Sequence, residues 1–231
     1  IMICINTFKK KFTKYTFKKN DKVLCDMPFS PREFGSEILS ELDITNVALE
    51  QTKTFDHYDP EKKSVRVLAE RFDRKSLTAL SIVCHEIGHA IQDYEGYKPL
   101  KQRTEIIKKT AWLSRVSNTL MLFAVPAVLA SGAYSFLKIC VIIILVSTLI
   151  GLFTHLITLE VELDASFNRA MPILEKKIPE TYHEACRSVL KAAAFTYVAG
   201  VFANVFSFRY LWLLLTRACL LYTSDAADEG H

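Results

Sequence analysis

The chain has 231 residues, half of them hydrophobic and 23% charged, with 29 Lys and Arg against 25 Asp and Glu for a net charge of +4. A mean hydropathy of +0.17, with a charged first half and long apolar runs in the second, excludes an ordinary single soluble globule and predicts a polar domain followed by membrane-embedded helices. The six cysteines are scattered and form no C-x-x-C pair, which argues against a disulfide framework or a cysteine-ligated metal site.

Ile1–Phe8 is apolar but far shorter than the ~20 residues that cross a bilayer; it reads as the remnant of a first transmembrane helix. The basic run Lys9–Lys19 follows. A nucleic-acid-binding tail and a cytoplasmic juxtamembrane segment compete for such a run, and the apolar segments downstream favour the second, over residues 1–29. No nucleic-acid partner is expected. A helix should start at Ser30, with Pro31 at its first position and Phe34, Ile38, Leu39 and Leu42 as its apolar stripe. A short strand is expected around Asn46–Glu50, then an extended arm from Phe55, a turn at Asp59–Ser64 and a strand at Val65–Leu68.

Ser76 is the expected cap of a helix over Leu77–Tyr94, with Gly96 as its stop. This helix carries His85, Glu86 and His89 in the spacing H-E-x-x-H. Residues i and i+4 share one helix face, so the two imidazoles can meet one metal ion, while Glu86 can reach a water beside it. That spacing is the zinc peptidase signature. A catalytic zinc site takes three protein ligands and keeps a position open, so one ligand must come from elsewhere. Cys84, turned about 100° from His85, is a packing residue, and Gly88 leaves room for a close neighbour.

Two uncharged stretches follow, at 118–137 and 139–159, separated by Lys138. Each is long enough to span a ~30 Å hydrocarbon core, and together they predict a transmembrane hairpin. A third apolar region, 192–215, is weakened by Asn204 and Arg209 and is expected to be a further transmembrane helix. Residues 216–231 are set aside as tail, because Cys219–Glu229 reads like the translation of a sequencing-library adapter.

A hairpin returns the chain to the side it left, so the motif helix and the polar segment 160–191 should lie on one face of the membrane. The missing ligand is then sought among Glu160, Glu162 and Asp164, on a new helix packing beside the motif, with the remaining acid orienting a histidine ring. His155, inside the second apolar stretch, and His183, on a surface-like helix, are the competitors. Lys101, Arg103, Lys108, Lys109 and Arg115 before the hairpin, and Arg169, Lys176, Lys177, Arg187 and Lys191 after it, put this side in the cytoplasm by the positive-inside rule.

Five blocks together resemble the bacterial membrane neutral zinc metallopeptidases of the YugP-like group: Asp56–Pro60, Cys84–Gln92, Gly96–Leu100 with Arg103, Thr158–Ser166 and Ala192–Ala199. Their order covers about Phe34 to Val201. The resemblance implies that Glu162, which matches the family glutamate, is the third ligand. Glu160 stands where the family has Pro and, four residues before Asp164, forms a rival pair. Cys84 replaces a small residue, and the family's N-terminal membrane helix is absent or reduced to Ile1–Phe8.

The expected fold is a mainly α membrane protein: a zincin-like α+β cytoplasmic domain over 30–117 (the motif helix plus a small sheet), the transmembrane hairpin, and the C-terminal transmembrane helix. The expected function is that of a multi-pass zinc metallopeptidase of the bacterial cell membrane, with one Zn²⁺ on His85, His89 and Glu162, Glu86 as general base, and a peptide or protein substrate. His57, Tyr58 and Arg103 are candidates for contacts to substrate or oxyanion. Hydrolysis of a non-peptide amide, or a non-catalytic membrane scaffold, are the other readings, since the motif specifies a metal and a base and no substrate.

Overall fold

The computed structural model describes residues 11, 13–22, 24, 27–131 and 134–228; the stretch Ile1–Phe8 lies outside them. They form a mostly helical chain with one small sheet, divided into two compact units. One holds the described residues up to Gln102 together with Ile157–Ala199, and the other holds Arg103–Leu156 with the described residues from Gly200 on.

In the first unit, helix α1 covers residues 13–20 and helix α2 covers Pro31–Glu41. The start of α2 is a capping box: the Ser30 hydroxyl accepts from the Glu33 N–H (3.3 Å), and the Glu33 carboxylate accepts from the Ser30 N–H (2.7 Å). Pro31 at the first turn forfeits no helical hydrogen bond. Strands β1 (Ala48–Thr52), β2 (His57–Asp59) and β3 (Ser64–Leu68) follow. The sheet order is β1-β3-β2, with β1 parallel and β2 antiparallel to β3. The arm carrying His57 is thus itself an edge strand, with His57 opposite Arg66 and Tyr58 opposite Val65. The strand expected at Asn46–Glu50 lies two residues later, because Ala48 is the residue that pairs with Ser64 at the start of β3. A single turn, α3 (Ala69–Phe72), leads to α4 (Leu77–Tyr94).

Helix α4 is the central element. Ser76 caps it, its hydroxyl accepting from the Ala79 N–H at 3.2 Å. It ends at Gly96, whose φ of +70° suits a residue without a Cβ, and the Tyr97 N–H closes the last turn on the Gln92 carbonyl at 2.8 Å. Almost every residue from Leu77 to Gln92 is buried. Phe34 and Ile38 of α2, Val65 and Val67 of β3, and Leu80, Val83 and Ile87 of α4 form one core with Leu174 and Leu190. In β3, Val65 and Val67 are buried while Arg66 and Leu68 are partly exposed, as fits a strand with one face on that core.

Helix α5 (Lys98–Thr119) runs through a π-helical turn, Leu120–Ala124, into α6 (Val125–Ser131). Helix α7 (Tyr134–Leu163) continues through a second π-helical stretch, Asp164–Ala170, into α8 (Met171–Lys177), and α9 (His183–Asp228) completes the chain. The polar segment after the second apolar stretch therefore does not start a new helix, as the sequence reading expected. Nothing stops α7: there is no Gly or Pro from Leu152 to Met171. Pro172 then sits at the start of α8, directly after the wider π-helical turns. In the second unit, Val141, Ile144 and Leu145 of α7 pack with Leu120, Val125 and Leu137, while Leu122, Phe123, Phe136, Ile139 and Phe153 are exposed. Among the described residues, two helices, Phe136–Lys177 and Glu180–Phe202, are long and apolar enough to cross a membrane.

Candidate active site

The helical period sets the first half of the site. Positions 85 and 89 of α4 are one turn apart, and their rings meet edge to face with centroids 4.7 Å apart. The second half comes from the end of α7 and the π-helical stretch, which lies against α4. Gly88 makes that approach possible: a Cβ there would stand 2.6 Å from the Ala165 carbonyl oxygen. The neighbour is therefore a helix backbone. Cys84, fully buried, donates its thiol to the Ala170 carbonyl at 3.4 Å on the same interface. Burial raises its pKa, so it is a packing residue and an unreactive one.

Three acids reach this region along one helix and go to different places. Glu162, 3% exposed, turns to α4: its Oε2 lies 3.2 Å from His85 Nε2 and 3.5 Å from His89 Nε2. Glu160 is exposed and accepts from the Tyr97 hydroxyl at 3.4 Å. Asp164 accepts from Gln92 Nε2 (2.8 Å), Asn168 Nδ2 (2.9 Å) and Arg169 Nε (2.7 Å). Of the other candidates, His183 bonds through Nε2 to the Ile178 carbonyl at 2.7 Å, and His155 belongs to the second unit, where it packs on Gly200.

Two residues that the sequence reading gave no role set the chemistry of the histidines. Gln92 is wholly buried. Its Nε2 donates to the Val161 carbonyl (2.9 Å) and to Asp164 (2.8 Å), which uses both amide hydrogens. Its Oε1 must then face His89 Nδ1, at 2.9 Å, so Nδ1 carries the proton and donates it. Ser166, also wholly buried, lies with its hydroxyl 3.1 Å from His85 Nδ1. With His89 Nδ1–H fixed on Gln92 and His85 Nδ1 engaged by Ser166, both Nε2 atoms face the Glu162 oxygen. In the sequence both residues close blocks that resemble the family, Gln92 at i+3 from His89 and Ser166 at i+4 from Glu162, but nothing there assigned them a partner.

His85, His89 and Glu162 offer ligand atoms that all lie within 4.8 Å of one another. Donors ~2.0–2.1 Å from a tetrahedral zinc stand about 3.3 Å apart, so the 3.2 and 3.5 Å separations from Glu162 and the two-imidazole, one-carboxylate donor set fit such an ion. Burial disfavours charge on His89, but the adjacent Glu162, then Glu86 and Gln92, outweigh it and raise its pKa above the ordinary 6.5. Glu86, 7% exposed, is held above the ordinary carboxylate range: burial raises its pKa, His85 and His89 oppose the rise, and Glu162 and Asp56 add to it. A raised carboxylate pKa suits a group that takes and returns a proton.

Glu86, His85 and Glu162 open onto a cavity of about 230 Å³ whose other walls include Asp56, Phe17 and Thr13. His57, Tyr58 and Arg103 are not among its lining residues. His57 folds back on its own arm, with Nδ1 2.9 Å from the Phe55 carbonyl and its ring on Phe55. Tyr58 donates to Asp93 at 2.6 Å, which also receives Lys63; burial, then Asp93, push its pKa up. Arg103 lies on α5 in the second unit.

Residues 1–216 match the family described as "Putative neutral zinc metallopeptidase". A Bacillus subtilis (strain 168) protein described as "Putative membrane protease YugP" is 30% identical over 207 residues, which cover 87% of this chain and 88% of that protein. No solved structure matches the chain. With the family matched over nearly its whole length, and with two histidines and a glutamate of the right donor chemistry converging in its interior, the chain belongs to the neutral zinc metallopeptidase family.

Proposed function

We propose that the chain is a membrane-anchored zinc peptidase in which His85, His89 and Glu162 hold one zinc ion and Glu86 is the general base. The observation that carries this reading is the fixed orientation of the two imidazoles, whose Nδ1 atoms are engaged by Ser166 and Gln92 while both Nε2 atoms face Glu162. A bound zinc ion supplies Lewis acidity, polarising a carbonyl and making water easier to deprotonate. Glu86 takes a proton from the attacking water and hands it to the amine nitrogen as the C–N bond breaks, so that water adds across the peptide bond. Asp164 acts on His89 at one remove, through Gln92, and Glu160 takes no part. On this reading the exposed apolar side chains of α7, such as Phe136, Ile139 and Phe153, face lipid, and the Lys- and Arg-rich flanks favour a site on the cytoplasmic side of a bacterial membrane. The test is Glu86→Gln in the full chain, purified in detergent with zinc. It should keep its metal, because Glu86 is not a ligand, and lose hydrolysis of a quenched fluorescent peptide by at least ~100-fold. Undiminished hydrolysis in that variant rules the mechanism out.

A further inference from the structure

A second, larger cavity of about 690 Å³ adjoins the one beside Glu86, and the two share Thr13, Phe17 and Thr196 as lining residues. The inner cavity, at about 230 Å³, falls short of the ~300–1,000 Å³ of ordinary ligand pockets, whereas the outer one lies within that range. A chain segment bound beside His85 and Glu86 would outgrow the inner cavity, and the adjoining outer cleft is large enough to take its continuation.

Helix α1 forms one wall of both. Its Thr13 and Phe17, one turn apart, line the inner cavity, while Lys14 and Lys18, on the adjacent face, line the outer cleft. The wall is anchored. The Thr78 hydroxyl of α4 donates to the Phe17 carbonyl (2.9 Å), Asn20 donates to the Ser188 hydroxyl of α9 (3.1 Å), and Arg74 and Ser76 hold Asp21 just beyond the helix (3.1 and 2.8 Å). The other cations of the cleft are already answered: Arg71 by Asp56, with its guanidinium also 5.8 Å from the Phe17 ring centroid, and Arg74 by Asp21. Lys14 and Lys18 are exposed, and the ion pairs of the cleft, Arg71 with Asp56 and Arg74 with Asp21, do not include them. Glu70 is the one acid in the lining outside those pairs.

We infer that the outer cleft is the substrate-binding extension of the site and selects peptides with acidic side chains on the side of the scissile bond that runs past α1, where they meet Lys14 and Lys18. Phe17 supplies an apolar contact at the junction of the two cavities. The inference rests on the peptidase reading for its geometry, but binding can be tested without catalysis. A flat basic helix would face anionic lipid; here the lysines border a concave cleft that adjoins the cavity lined by His85 and Glu86, which favours a peptide chain.

Two measurements on the full chain in detergent with zinc decide the matter. The first is kcat/KM for matched peptides bearing Asp or Lys on either side of a common core. The second is fluorescence-anisotropy binding of the same peptides to Glu86→Gln. The acidic peptide should lead by roughly 10-fold at low salt on one side of the core, and the lead should shrink as salt screens the pairs. In Lys14→Glu/Lys18→Glu the order should reverse, with the basic peptide gaining, an outcome that misfolding does not produce. Equal treatment of the two peptides, or a preference untouched by the double substitution, overturns the inference. So does a double variant that loses only its affinity for phosphatidylserine vesicles, since the lysines then serve the bilayer. Lysine-dependent acidic binding to Glu86→Gln without hydrolysis by the parent protein would support the cleft and defeat the peptidase reading.

Discussion

In a Gln92→Met variant the side chain keeps nearly its length and volume but loses its amide. Three hydrogen bonds disappear: two buried ones, at 2.9 Å to His89 Nδ1 and 2.9 Å to the Val161 carbonyl, and a partly buried one at 2.8 Å to Asp164. The losses are unequal. Asp164 keeps Arg169 and Asn168, and Val161 O is a carbonyl within a helix, but the buried His89 N–H has no replacement acceptor. Leaving one such donor unmade costs about 1–3 kcal/mol. The ring is then free to rotate or change tautomer, and loss of a histidine's orienting partner lowers metal affinity by about 10–100-fold, or roughly 1.4–2.7 kcal/mol. The assay is competition for zinc against a chromophoric chelator at pH 7.5, alongside melting of the protein with and without zinc. The expected result is a weaker zinc affinity by that factor and a smaller zinc-induced rise in Tm. Zinc affinity of Gln92→Met within two-fold of the parent would refute the claim that Gln92 sets the tautomer.

Gly88→Ala drives a Cβ to 2.6 Å from a backbone oxygen that has no rotamer to escape into, so α4 and the Asp164–Ala170 stretch must separate, at a cost of about 1–3 kcal/mol. Reduced Tm and lowered zinc occupancy are expected together, and an unchanged pair of values contradicts the packing argument. Metal content should separate the acids: Glu162→Ala loses zinc, Glu160→Ala keeps it, and the reverse pattern removes Glu162 from the ligand set. Zinc competes with a proton for His89, whose pKa lies above 6.5. Affinity should hold at high pH and begin to fall while the pH is still above 6.5, and chelator titrations that stay flat from pH 8 to 6 would contradict this.

The sequence alone determined the local parts of this protein, because their signals are short-range. Ser30 with Pro31, and Ser76 with Gly96, mark helix ends through hydrogen bonds and φ preferences that need no distant partner. The i, i+4 spacing puts His85 and His89 on one face wherever that helix lies. The helical period also separates Glu160 and Asp164 from Glu162, since two residues at 100° each turn the side chain about 200°. What it leaves open is which of those faces meets α4. That depends on a contact between residues some 77 positions apart, made close by the missing Cβ of Gly88 and running along a helix that continues as π-helix where a new element was expected. The roles of Gln92 and Ser166 were hidden for the same reason: a buried amide and a buried hydroxyl acquire meaning only when tertiary packing supplies the carbonyl, carboxylate and imidazole they bond to.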